Sequence, residues 1–435
     1  MTFRPLNILL LTDAPEHFST VCRGLEPIRA LAEAGVVKIA IESWPGPKPN
    51  ESNPQEVEAV AAFLREEKKA EGGLKFHKSL IKHVAYADVV VIPMTAASAW
   101  YAMIPFFQSK GKVVVMDADD DSFAVNPASP SYATRGTKEC TLVNNGKEVG
   151  IWQDRARYPA DVDEEELSRR DPPVWLMSLE RNQKLMASAE EAFRKADAIT
   201  TTTERARNRF LDYNPNVYAL PNSHDLTVYA PGRHPGRQGF RIGWYGGNSH
   251  FGDLATACKG LRRFLDEGHD DVVVVAMGNV PASLTKAVPP HQLELWDWTC
   301  PEAHPYRLMA MGFDMAFAAV EHKVKFNECK SQIKWSEMGA CGVPVLCSRT
   351  PPYSDCVNDG VDGILVDETE EAWYQGFKTL YEDEALRKRM GVAANERIQK
   401  DYDLHRNAQY WYDVYDLLVK ARHPVLNSAG EKAVP

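Results

Sequence analysis

Nearly unbroken apolar runs recur along this chain, with helix-spaced segments between them. In the first half they are "NILLLT", "VVKIAI", "DVVVIP", "KVVVMD", "DAITTTT" and "NVYALP". Between the first two, Val21, Leu25, Ile28 and Leu31 share one helical face ahead of Gly35. A strand that is apolar on both faces must be covered on both, and the crossover helices of a parallel sheet provide that cover. The first series predicts one Rossmann-like domain over residues 1–222. After "SHDLTVYAPGRHPGRQG", rich in Pro, Gly and His and read as a linker over 223–239, the pattern restarts. "RIGWYG", "DVVVVAMG", "LELWDW", "DMAFAA", "VPVLC" and "GILV" then predict a second Rossmann-like domain over 240–402. An aromatic helix over 403–422 follows, and 423–435 is a tail expected to be disordered. Two domains suit 435 residues, since single cores stop growing at roughly 250–300.

One interruption, about residues 126–173, is assigned to the first domain. It holds a hairpin signal centred on Asn145-Gly146 and the acidic run "DVDEEE". At that length it is too long for a plain loop and is either functional or mobile. Its aromatics Tyr132, Trp152 and Tyr158 are expected to pack a small core of their own in preference to stacking on a ligand.

Composition narrows the class. A net charge of −10 gives no sign of a large duplex-binding surface. Eight cysteines without a C-x-x-C pair indicate neither a zinc site nor a disulfide framework, and point to a reducing cytoplasm. "NILLL" is too short for a signal-peptide core. Val89 to Phe107 lacks charge, but Pro93, Thr95, Ser98 and Pro105 divide it into a strand and a short helix, so no integral membrane segment is expected.

Ligands of open α/β sheets sit beyond the carboxyl ends of the strands. Two loops there stand out. "YGGNSHFGD" follows a strand directly; Gly246 and Gly247 allow close approach to a phosphate, and Asn248 and His250 share the loop, although Gly-Gly alone is commonly a turn. In "FNECKSQIKWSEMGACGVPVLCS", Ser331 is the expected N-cap, aiming the amides of Gln332 and Ile333 outwards. Lys330, Lys334 and Glu337 fall within about 60° on that helix. From Ser331 to Glu337 the rise is roughly 9 Å, near the reach from a diphosphate to ribose hydroxyls. The plainer reading is an i,i+3 Lys334–Glu337 pair on a solvated face, worth some tenths of a kcal/mol.

From "CKSQIKWSEMGACGVPVLCSRTPPYSDCVNDGVDGILV" outwards, nearly the whole chain resembles the GT-B glycosyltransferases of the family-4, or group 1, type. The resemblance implies two Rossmann-like domains facing a cleft, with the C-terminal helix returning to the first. It also implies a nucleotide diphosphate-sugar as donor substrate, with no cofactor, and anomeric retention by front-face attack. By the family's pattern Glu337 binds the donor's ribose hydroxyls. The family's first glutamate falls on Cys329, which cannot accept the sugar-hydroxyl bonds of a carboxylate; Glu328 and Asn327 are the substitutes beside it.

Lys330, Lys334, the amides after Ser331 and the Gly246-Gly247 loop would stabilise a departing diphosphate, so no metal is required. The run Asp117 to Asp121 suggests a D-x-D metal motif, but that belongs to the other glycosyltransferase fold, and acidic loop runs are usually solvated. An inverting enzyme would instead need a base, for which Asp13, His17 and Asp119 in the first domain are the candidates, with His17 facing the acceptor. Two other readings share the donor site: a GT-B sugar-nucleotide epimerase, and a non-catalytic nucleotide-sugar-binding protein. The acceptor is open among protein, lipid-linked sugar, small molecule and modified DNA base, and "DVDEEE" disfavours the last.

Overall fold

A computed structural model describes residues 5–12, 17–43, 74–95, 98–144, 146–231, 238–247, 250, 252–322 and 324–423. The chain divides into two compact units, 1–120 with 178–221 and 404–435, and 121–177 with 222–403.

In the first unit, β1 (Leu6–Leu11), β2 (Val37–Glu42), β3 (Val89–Pro93) and β4 (Val113–Ala118) run parallel. β5 (Cys140–Asn144), β6 (Lys147–Asp154) and β7 (Val174–Met177) belong to the other unit, and β8 (Ala198–Thr201) and β9 (Val217–Ala219) complete the first sheet in the order β2-β1-β3-β4-β8-β9. Every residue of β3 and β4 is buried, the two-sided cover that the apolar runs required. The C-terminal helix Leu404–Arg422 packs on the helix Glu26–Glu33. It contributes Leu404, Ala408, Trp411, Tyr415 and Leu418 to the core, one stripe at helical spacing.

The second sheet contains β10 (Phe240–Gly246), β11 (Val272–Gly278), β12 (Leu293–Trp296), β13 (Met315–Ala318), β14 (Val345–Ser348) and β15 (Ile364–Val366). All pairs are parallel, in the order β12-β11-β10-β13-β14-β15. This is the Rossmann order, and it reverses between β10 and β13, where such sheets leave a crevice for ligands.

Two expectations are corrected. Residues 121–177 are compact with the second unit rather than the first. Ser122–Ala124 packs on the short helix Lys325–Glu328, and Asn126 reaches Glu321 at 3.4 Å. The supposed linker's first residues, Ser223 and His224, belong to the second unit, as does Asn222, expected to end the first domain; all three are buried, and His224 bridges to Asp403. Other readings hold. β5 and β6 form the antiparallel hairpin, with Gly146 at φ 77°; Asn145 lies outside the described residues. Tyr132 and Trp152 are buried, the Trp152 ring centre lying 5.5 Å from that of Tyr132 and 5.4 Å from that of Trp175 in tilted pairs, and its Nε1 donating to Pro127 O, so they pack a core. Residues 424–435 of the tail lie outside the described residues. Among the described residues no helix is long and apolar enough to cross a membrane.

Candidate functional site

β10 is buried throughout and ends at Gly246, where a Cβ would stand 3.0 Å from His250 Cδ2. The glycine is therefore set by close packing against the loop it opens, and Gly247 beside it stands in open space. Asp253 organises that loop. Its Oδ2 accepts from Lys330 Nζ at 2.8 Å and from His250 Nδ1 at 2.8 Å, and its Oδ1 accepts from the Glu321 amide at 2.9 Å and Asn327 Nδ2 at 2.7 Å. Lys334 Nζ lies 2.6 Å from His250 Nε2. One tautomer satisfies the chain: Nδ1–H donates to Asp253 and Nε2 accepts from Lys334. Burial, then Lys330 and Lys334, push His250 down to about 3, so the imidazole is neutral. Burial alone would raise the Asp253 carboxyl, but Lys330 and His250 hold it below the usual carboxylate range.

One helical turn on, Glu337 has different partners. Tyr245 donates to its Oε2 at 2.7 Å, and His304 Nε2 stands 3.2 Å from Oε1. Burial opposes its ionisation, yet His304, His224 and the Tyr245 hydroxyl outweigh it and keep the carboxyl below its ordinary value. Ser336, beside it, lies 2.8 Å from His224 Nε2, and burial lowers that imidazole to about 4.

The solvated-face reading is thus overturned. Lys330, Lys334 and Glu337 are 5%, 7% and 2% exposed, and Lys334 and Glu337 bond to different groups. Such burial is costly unless each charge is met by a partner or a ligand.

Several predicted site residues sit elsewhere than expected. The helix runs Ile333–Ala340 with Gln332 at its N-cap position and no side-chain cap, so Ser331 is not the cap; its Oγ accepts from Asn222 at 3.1 Å. Gln332 is buried and bonded to Tyr402. Asn327 joins the Asp253 network, whereas Glu328 is exposed and, among the described residues, only its backbone amide is tied, donating to Val324 O at 3.2 Å. Asn248 and Asp13 lie outside the described residues. His17 is exposed in the first unit. Asp119 is tied there to Ser19, whose hydroxyl donates to Oδ2 at 2.7 Å, while Asp119 Oδ1 is buried without a partner among the described residues. The acidic run is not solvated, because Asp117 and Asp121 are both buried. Asp117 accepts from Arg23 and Thr200, and Asp121 caps Ser122–Ala124. Among the described residues no group of three or more His, Cys, Asp or Glu is placed to hold a metal ion.

Sequence reasoning missed Asp253, Tyr245, His304, His224 and Glu321. Asp253 closes the quoted glycine loop, and the need of two buried lysines for a counter-ion could have found it.

Two six-stranded parallel sheets, one with ligand-ready charge at its switch point, define the GT-B class. Solved structures agree on the fold. HepE of Anabaena, crystallised with UDP and glucose, superposes with TM-score 0.56 at 12% identity over 94% of this chain and 99% of that one. Sucrose-phosphate synthase of Thermosynechococcus elongatus gives 0.59 at 12% over 96% and 100%, and a glycosyltransferase of Rickettsia africae gives 0.59 at 12% over the same shares. Within that class the segment 333–397 matches the family model of glycosyl transferases group 1. The D-inositol 3-phosphate glycosyltransferase of Pseudarthrobacter chlorophenolicus is 42% identical over 64 residues, which is 14% of this chain and 15% of that protein.

Proposed function

We propose that the chain transfers a glycosyl group from a nucleoside diphosphate-sugar to a hydroxyl-bearing acceptor, with retention and without a metal or cofactor. The observation that carries this reading is the buried Lys330–Asp253–His250–Lys334 cluster at the switch point of the second sheet. With His250 neutral, the cluster holds one positive charge in excess, in a setting where charge is weakly screened. A diphosphate is the complementary ligand for such a group.

In the reaction, the bond from the anomeric carbon to the β-phosphate oxygen breaks as the acceptor oxygen bonds to the same face. The acceptor's proton passes to the departing phosphate oxygen. Lys330 and Lys334 stabilise the negative charge that develops there, and being held in place beforehand they need little reorganisation. Glu337, ionised and buried, has lone pairs beyond those used by Tyr245 and His304 for ribose hydroxyls. The acceptor is assigned to the first unit, at the edge carrying His17, Ser19 and Asp119.

Thermal stabilisation by UDP, GDP, ADP and their sugar conjugates tests the donor site, and stabilisation by none of them overturns the proposal. Following the anomeric proton of donor and product by NMR then tests retention, with an inverted product as the contrary result. Conversion of the sugar nucleotide to an isomer without acceptor would show an epimerase instead.

A further inference from the structure

Hydrogen-bonding chemistry divides the switch point in two. On one side, Lys330 and Lys334 are donors, and the oxygens of a diphosphate can only accept. On the other, at the carboxyl end of β13, stand two acceptors, Glu321 and the amide oxygen of Asn327. Asn327 Nδ2 donates to Asp253 Oδ1 at 2.7 Å and to Glu321 O at 3.1 Å. Those two acceptors fix the amide, because a flipped group would set oxygen against oxygen. Its Oδ1 is then buried with no partner among the described residues, a state that buried polar atoms rarely keep without a ligand or water. Phosphate cannot donate to either group, whereas sugar hydroxyls can.

Glu321 is fixed from several directions. Its amide donates to Asp253, and its Oε2 lies 3.4 Å from Asn126 Nδ2. The Asn126 amide is oriented in turn, since its Oδ1 accepts from the Ala128 N–H at 2.9 Å. Gly252 lets the donor loop close on this pair: a Cβ there would stand 3.0 Å from Glu321 Oε2 and 3.1 Å from Ala128 Cβ. Burial raises the Glu321 carboxyl, with Asn126 opposing. Oε1 accepts no protein hydrogen bond among the described residues. Cys329, at the position where the resembled family has its first glutamate, is a buried thiol.

We infer that Glu321, braced by Asn126 of the inserted segment and flanked by Asn327, accepts hydrogen bonds from the hydroxyls of the donor's sugar. This rests on the donor reading above, and extends it by making the insertion part of donor selection. A chain built this way distinguishes a nucleotide sugar from the bare nucleoside diphosphate through residues that the lysine cluster does not use.

Calorimetric titration of the full chain with UDP, UDP-glucose, GDP and GDP-mannose tests it. The wild type is expected to bind one nucleotide sugar more tightly than its diphosphate. Glu321→Gln should weaken that sugar conjugate about tenfold and the diphosphate less than twofold, and Asn126→Ala should act in the same direction by about threefold. Fluorine in place of single sugar hydroxyls gives a readout on the wild-type protein itself. At least one position should cost about tenfold in the wild type and little in Glu321→Gln. Equal losses for diphosphate and conjugate, no loss for either, or indifference of the wild type to every fluoro analogue overturns the inference. A wild type that binds no nucleotide at all refutes the donor reading beneath it, a result distinct from these.

Discussion

Both units bury charge beside a parallel six-stranded sheet, and the two cases behave oppositely. In the first, Arg23 lies in a π-helical turn, Val21–Leu25, and reaches into the core. It donates to both Asp117 oxygens, at 3.3 and 2.9 Å, and to the Thr201 carbonyl and Leu220 O, and its guanidinium lies 5.4 Å from the Trp411 ring centre. Asp117 lies within β4 and also accepts from Thr200. Here charge serves to lock the C-terminal helix and the segment after β9, at Leu220, onto their sheet. In the second unit, Lys330, His250 and Asp253 on loops and Lys334 in the first turn of the helix Ile333–Ala340 lie beyond the strand ends, where they meet at the switch point. Buried charge alone therefore does not mark a site; its position relative to the strand ends does.

The largest effect should come from the second case. Lys334→Met removes a charge that the proposed donor site sets against the diphosphate, and nucleoside diphosphate affinity or transfer rate should fall about a hundredfold or more, by calorimetry or initial rates. Thermal stability should change little, because Lys330 still neutralises Asp253. Arg23→Met should invert that pattern. It leaves Asp117 buried without its counter-ion and costs about 3 kcal/mol of stability by denaturant titration, with nucleotide affinity unchanged. A variant that altered both properties equally, in either unit, would erase the distinction.

Acid should separate the units next. His250 and His224 are held near 3 and 4 against an ordinary 6.5. Below pH 6.5 their unfolded imidazoles take up protons that the folded ones refuse, so stability is lost as pH falls from about 6.5 towards 3. Asp253 adds to this at lower pH: its folded carboxyl lies below the ordinary 3.8, so its contribution holds above that value and fades beneath it. Hydrogen exchange at pH 4.5 should therefore show residues 240–403 opening before the first sheet, and His224→Asn should flatten the pH slope of the melting temperature. Equal loosening of both sheets would count against this.

Legibility followed the same divide. β3 is apolar throughout and β4 is apolar apart from Asp117, so their existence and burial could be read from local pattern. The lysine pair was visible because three charges interrupt a sequence that otherwise reads as core. What escaped depends on contacts between residues distant in sequence. His304 reaches Glu337 from 33 positions away, and nothing in "EAHPY" announces it. Glu321 meets Asn126 across 195 positions, and an insertion found inside the first series gave no local sign that it packs with the second. Ser331 illustrates the converse: its cap chemistry was sound, but Asn222 holds its hydroxyl and the helix starts beyond it.

The smallest effect sharpens the role of Glu337. Tyr245→Phe removes the 2.7 Å bond to its carboxylate and leaves His304 in place. The ring still fills its site on the core side of β10, so the fold should be kept. Losing one charge-assisted bond loosens the orientation of the carboxylate rather than abolishing its charge. If Glu337 holds ribose hydroxyls, UDP or GDP should bind about threefold more weakly to this variant, while inorganic pyrophosphate, which has no ribose, should bind as it does to the wild type. If pyrophosphate weakens equally, Tyr245 acts through the lysine cluster, whose Lys334 ammonium lies 6.0 Å from its ring centre. The ribose assignment of Glu337 would then fall, although the diphosphate site would stand.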